Sequence, residues 1–417
     1  IITFNSNLFS SRGLNQKKVI PTSSLIFVVS KKPPTEAHQV DITNYKNGED
    51  TINETLTNIL KSRKVDKKKI PQSELLKNVV NWNFIKHDKM SLDFYEKYKK
   101  NSDDMAIYYE HDKYRKNNFY FDIGFILNQK NILYESNKES YELLDFKTFI
   151  GYSNFTPTSY YPKDRTRIEL TQNSQGYITL EQKYKIIWSI KNPDKFCFTD
   201  HPIIFYMGKA SIICSNDKNE ILYLFSLLNS NITKLLLDLN LKNESEKEYL
   251  IPIKAIKQYV CVPKITKENQ YIKDEVVKRT EEMLFLEEKT LSDFVDFSGV
   301  MLQKFDDVEI DGSNLVLKHN GNKTKLKVKS DVKLISETIQ KELKEELKLE
   351  NKKINLADLK NLPVIDFDKQ KELKDYIDDL VFVLYFNVPI NEIGPSKSND
   401  IKNLCSKNKY YQLANKL

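Results

Sequence analysis

The stretch from Asn219 to Leu239 constrains the fold more than any other. Ile221, Phe225, Leu228, Ile232, Leu235 and Leu239 recur at steps of four and three, which sets them on one continuous helical face. A stripe that long must be buried against other elements. The chain's 417 residues, two or three domains at roughly 150 residues each, are ample for that. Asn229-Ser230-Asn231 interrupts the stripe on its polar side. Such side chains compete for backbone hydrogen bonds, so the segment is expected to divide into two helices with Ser230 or Asn231 as cap.

Other stretches read as follows. Ser23–Val29 is a continuous apolar run, as in a strand buried on both faces, and Gln39–Ile42 adds an edge strand. Residues 46–72 are polar, with a basic knot at Lys61–Lys69 (KSRKVDKKK). That knot suits a solvated linker or exposed helix, with a phosphate-binding patch as the alternative. Phe119–Leu127, Tyr184–Ile190 and Ile203–Ile213 read as strands, the last bent at Gly208. Beyond residue 266, Ile272, Val276, Met283 and Leu286 mark an amphipathic helix. Strands at Val308–Ile310, Leu315–Leu317 and Lys325–Val328 are joined at Asp311-Gly312 and Asn320-Gly321, the second a strong two-residue turn signal. Ile335, Ile339, Leu343 and Leu347 predict another helix, and Leu373, Ile377, Leu380 and Leu384 a last one ending near Pro389. No internal repeat is visible.

Composition narrows the class. Hydrophobic residues at 40% and charged residues at 29% exclude wholesale disorder. The longest apolar runs, Leu380–Phe386 and Leu25–Val29, fall short of the ~18 residues of a membrane span. Cys197, Cys214, Cys261 and Cys405 are far apart, which predicts reduced thiols and a cytoplasmic protein. The chain starts at Ile1, without Met and directly in an apolar stretch, so it is expected to be a piece of something longer.

Catalytic signatures are missing. Ten glycines leave little room for phosphate-cradling loops, and no GxGxxG, P-loop or GxSxG occurs. The histidines are isolated; His111 beside Asp112, and Asp200 beside His201, are adjacent in sequence, which rarely yields acid–base geometry. Asp164 with Glu181 and Lys183 matches a loose Mg²⁺-nuclease pattern of two carboxylates and a lysine. In so charged a chain a salt-bridged strand edge explains the same residues.

The arginines say more. The net charge of +7 comes from 59 lysines and 6 arginines, the signature of an AT-biased genome, in which arginine marks sites needing a planar, bidentate donor. Arg115, Arg165 and Arg167 fall within 53 residues. Carboxylates and the guanine edge are the usual partners of such a donor. Lys163, Tyr160 and Tyr161 surround them, and Asn173 and Gln175 are placed to read adenine. The competing reading pairs the arginines with Asp112, Asp164 or Glu169.

Three stretches together resemble the C-terminal part of gamma-class adenine-N6 DNA methyltransferases with a TaqI-like target-recognition domain, as in type IIG restriction–modification enzymes. They are Phe9 with Val19–Phe27 and Lys31; Tyr223–Ser230 (YLFSLLNS); and Ile251-Pro252-Ile253 through Val262-Pro263, similar to the family's strand after that helix. The resemblance implies an α+β chain. Residues 1–45 would be the end strands of an α/β methyltransferase sheet, 46–72 a linker, 73–265 a mixed α/β recognition domain, and 266–417 a helix-rich region with hairpins. It also implies double-stranded DNA as partner and S-adenosyl-L-methionine bound by a domain preceding this chain. Phe9 would stack on the flipped adenine. The Asn/Asp-Pro-Pro-Tyr/Phe motif is not found; Asn192-Pro193-Asp194 is the nearest match. The alternatives are a stand-alone specificity subunit, against which the missing repeat counts, and the Mg²⁺ nuclease.

Overall fold

The computed structural model describes residues 1–4, 25–26, 35, 37–45, 50, 52–77, 88–105, 119–170, 176–191, 193–241, 250–343 and 353–415. The architecture is α+β, with helices packed among several small sheets and, among the described residues, no barrel.

The first sheet runs Leu25–Ile26, Ile2–Phe4, Gln39–Tyr45, Val65–Pro71 in spatial order. Ile2–Phe4 lies antiparallel to the first of these and parallel to Gln39–Tyr45. Two expectations are corrected here. Gln39–Tyr45 is an interior strand, paired with Ile2–Phe4 on one edge and Val65–Pro71 on the other, and its Ile42 and Tyr45 are buried. The stretch expected to be a linker or exposed helix contains a helix, Ile52–Leu60, but its basic knot enters the edge strand, paired from Gln39↔Pro71 to Tyr45↔Val65. That pairing satisfies the strand's backbone, which a solvated linker would leave to water.

A second four-stranded antiparallel sheet holds Cys197–Thr199, Tyr184–Ser189, Ala210–Ser215 and Tyr120–Asp122 in that order. The strand expected over Phe119–Leu127 breaks in two at Gly124, where φ is +95°. A Cβ there would lie 2.8 Å from the Phe205 ring and 2.9 Å from its carbonyl oxygen, so only glycine permits the approach. The second half, Phe125–Leu127, leaves the sheet and forms a ribbon with Ile168–Leu170.

The apolar stripe divides as expected, into Lys218–Leu228 and Asn231–Leu241. Ser230 Oγ accepts the Thr233 amide at 3.2 Å and so caps the second helix. The break has a purpose: Asn229 bonds the Phe196 backbone through both its amide nitrogen and its oxygen. Ile253–Tyr259, expected as strand, is a helix begun by Pro252, and only Cys261–Pro263 is strand, paired with Ser102–Asp104. Proline's fixed φ favours that helix start.

The main core spans both sides of residue 265. Phe94 and Tyr98 of Lys89–Lys100, Leu224, Leu236, Val276 of Gln270–Phe285, and Leu380 of the long helix Phe367–Phe386 all belong to it. Leu380 to Phe386 are buried without a gap, each roughly 1.5–3 kcal/mol for an aliphatic or phenylalanine side chain. The long helix ends at Asn387 in a left-handed conformation, φ 48°. A second core closes over residues 291–364. There the three-stranded meander Asp307–Asp311, Asn314–His319, Asn322–Lys327 turns at Asn320 (φ 46°) and Gly321 (φ 79°), the left-handed pair the sequence predicts. No described helix is long and apolar enough to cross a membrane. All four cysteines are buried free thiols.

Candidate nucleic-acid interface

Tyr160–Pro162 pairs antiparallel with Ser140–Leu143, and the chain then makes one tight helical turn, Arg165–Arg167, before entering Ile168–Leu170. Asp164 builds that turn by accepting from the Thr166 amide at 3.0 Å and hydroxyl at 2.7 Å. Those bonds, with Arg167 beside them, hold its carboxyl below the usual aspartate range.

The turn presents both arginines to solvent. Arg165 lies over the Tyr177 ring, its guanidinium carbon 4.5 Å from the centroid, and its Nη2 meets Glu181 Oε1 at 2.9 Å. The Tyr177 hydroxyl in turn donates to the carbonyls of Arg165 and Ile168 at 3.1 and 3.0 Å. Arg167 Nε lies 3.1 Å from Asp164 Oδ2. The Arg165 and Glu181 side chains are 63% and 60% exposed, so water screens the pair. Such a contact orients the guanidinium without sequestering it. Stacking on the tyrosine fixes the plane of the fork while leaving its N–H edge available for a planar acceptor. Exposed Ile126, Leu170 and Ile178 flank the turn.

Lys163 joins this surface, donating to the Lys138 carbonyl at 3.0 Å and lying 5.6 Å over the Tyr141 ring. Tyr160 is half-buried. Tyr161 is a correction: it is fully buried. Its hydroxyl donates to the Arg167 carbonyl at 2.8 Å and accepts from the Asn128 amide at 3.1 Å. It braces the arginine turn from beneath and cannot touch a ligand. Phe9, Arg115, Asn173 and Gln175 lie outside the described residues.

The three residues of the Mg²⁺-nuclease alternative each have another partner. Asp164 and Glu181 each face an arginine, and the Lys183 ammonium lies 5.1 Å over the Tyr184 ring. Among the described residues no group of three His, Cys, Asp or Glu side chains is arranged to hold a metal ion. One pair escaped sequence reasoning: His201 bonds not its neighbour Asp200 but Glu142, Nδ1 to Oε2 at 2.7 Å. That hydrogen bond raises the imidazole's pKa. The partners stand 59 residues apart, and no local pattern announces them.

No protein-family profile matches the chain, and no curated protein does. Solved structures similar in part include two specificity-type subunits. One is a type-I restriction-modification system S subunit from M. genitalium, at 13% identity over 71% of this chain and 92% of that one, with a TM-score of 0.24. The other is the HsdS subunit from Thermoanaerobacter tengcongensis, at 11% identity over 71% and 93%, with a TM-score of 0.23.

Proposed function

We propose that this chain reads DNA sequence within a restriction–modification system, as the target-recognising C-terminal part of an adenine-N6 DNA methyltransferase. The observation that carries the reading is Arg165, exposed, stacked on Tyr177 and set with Arg167 and Lys163 on one braced turn. In such a site the oriented guanidinium suits a guanine O6/N7 edge, and the neighbouring cations suit backbone phosphates. The three family-like stretches supply the methyltransferase part of the proposal. S-adenosyl-L-methionine then belongs to the preceding domain, and the transfer step with it.

Selection of duplexes from a randomised library by the purified chain tests the reading. A defined site should be enriched. Arg165→Ala should cost one base position about 5- to 150-fold in discrimination, ~1–3 kcal/mol. Lys163→Ala should weaken all duplexes alike. Absence of any enriched site would overturn the proposal. Co-purification with a separate catalytic polypeptide would instead assign the same reading surface to a stand-alone specificity subunit.

A further inference from the structure

The basic knot is not absorbed by that site. Between Ile52–Leu60 and Val65–Pro71 the chain turns through Lys61-Ser62-Arg63-Lys64, and two non-glycine residues there are left-handed, Ser62 at φ 51° and Lys64 at φ 54°. Each such residue costs roughly 1–2 kcal/mol, so the surroundings must hold the turn in place.

They do so through one carboxylate. Asp50 receives the hydroxyl of buried Tyr45 at 2.6 Å, the Asn58 amide at 3.2 Å and Lys64 Nζ at 2.7 Å. Asn58 also accepts the Arg63 amide on its carbonyl at 2.7 Å. The network consumes one cation, Lys64, and leaves the others. Lys61 and Arg63 are exposed and have no acidic partner among the described residues. Among the described residues Lys67 Nζ bonds the Ser62 hydroxyl, at 2.8 Å, and Lys69 keeps a loose 3.5 Å contact with Asp41, the Lys69 and Asp41 side chains being more than two-thirds exposed. Strand alternation turns Lys67 and Lys69 to one side of the sheet's edge.

Edge lysines alone are explained as protection against strand-to-strand aggregation. That does not explain Lys61 and Arg63, which lie off the strand on a turn that costs free energy to hold. We infer that this turn and edge strand form a second, sequence-independent contact surface for the phosphate backbone of duplex DNA. Charge complementarity selects the occupant, and the Asp50 network preorganises it. The inference rests on the DNA-reading proposal above.

The test uses the full chain and two duplexes, the enriched site and a random sequence. The variant Lys61→Gln/Arg63→Gln/Lys67→Gln/Lys69→Gln, its fold checked by circular dichroism, should bind both more weakly by one to three orders of magnitude. Its slope of log affinity against log salt should be shallower by up to about 3.6, ~0.9 for each of four lost phosphate contacts, with the ratio between duplexes kept. Asp50→Asn is the second variant. Removing an anion from a basic surface should by itself strengthen binding, so a several-fold loss is expected only if the braced turn matters. Unchanged affinity and slope in the quadruple variant, with site preference intact in the parent chain, would overturn this inference and spare the reading function. Equal binding of both duplexes by the parent chain, lost in the variant, would do the reverse. No binding of either duplex by the parent chain would overturn both.

Discussion

Glu287 Oε2 accepts the Ser153 amide at 2.6 Å and the Ser153 hydroxyl at 3.0 Å, 134 residues away in sequence. The same carboxylate takes the Tyr152 amide at 2.7 Å, the Asn154 amide at 3.0 Å and the Gln370 side chain, while the residue is 1% exposed. A turn between two short strands, Phe149–Ile150 and Asn154–Phe155, is thereby latched to the helical body. Glu287→Ala should destabilise the fold by on the order of 3 kcal/mol, since three half-buried amides lose a buried acceptor, and Glu287→Gln by less. Gly151→Ala should behave similarly, because its φ is +70° and a Cβ would overlap the Glu287 carboxylate. Urea denaturation of the three variants measures this; equal midpoints to the parent chain would contradict it.

Glu181 places a negative charge beside Arg165, which repels the phosphates of an approaching duplex. Glu181→Gln should therefore raise DNA affinity several-fold while moving stability by less than ~1 kcal/mol. Titration of labelled duplex and a thermal melt, run on the same preparation, separate the two effects.

Lys185 is buried, donating to the carbonyls of Gln182 and Lys183. Burial pushes its pKa down to about 8. The folded state thus releases this proton near pH 8, whereas an unfolded lysine holds it to ~10.4. Between those values the unfolded chain binds more protons, so this group's contribution to stability rises with pH through that window. The stability of the parent chain minus that of Lys185→Met should increase by up to ~3 kcal/mol across it. A constant difference would exclude the mechanism.

Asp379 shows the opposite sign. Burial lifts its pKa to about 6, although the Tyr411 hydroxyl donates to Oδ1 at 2.6 Å. The folded carboxyl keeps its proton up to that pH, while the unfolded one releases it near ~3.9. Stability from this group falls as pH rises through the interval, and the full cost is present above it. Asp379→Asn keeps an acceptor for Tyr411 and should stabilise the protein by ~1–3 kcal/mol at neutral pH, with no gain near pH 4. Denaturation curves at the two pH values decide.

Local chemistry was legible in the sequence. The 221–239 stripe, its division at Ser230 and the Asn320-Gly321 turn all follow from neighbouring residues. Of the arginine cluster, Arg165 and Arg167 lie exposed on one turn, while Arg115 falls outside the described residues. What failed depended on distant partners. Tyr160 and Tyr161 look alike in sequence, and alternation says that one turns inward, but only the pairing with Ser140–Leu143 decides which. The break at Gly124 is imposed by Phe205, and the basic knot became a strand because Gln39–Tyr45 lies beside it. The Glu287 latch and the His201–Glu142 pair join residues too remote for any spacing rule.

The long helix has a consequence for how the protein is made. Asn101 donates to the Tyr385 carbonyl at 2.9 Å across 284 residues, and Tyr98 and Tyr385 both bond the Cys261 backbone. At ~5–20 residues per second, the earlier helices wait some tens of seconds on the ribosome with their apolar faces uncovered. Chaperone demand during synthesis is therefore written into the topology, whereas the arginine turn, whose partners Tyr161, Tyr177 and Glu181 are close in sequence, can set early.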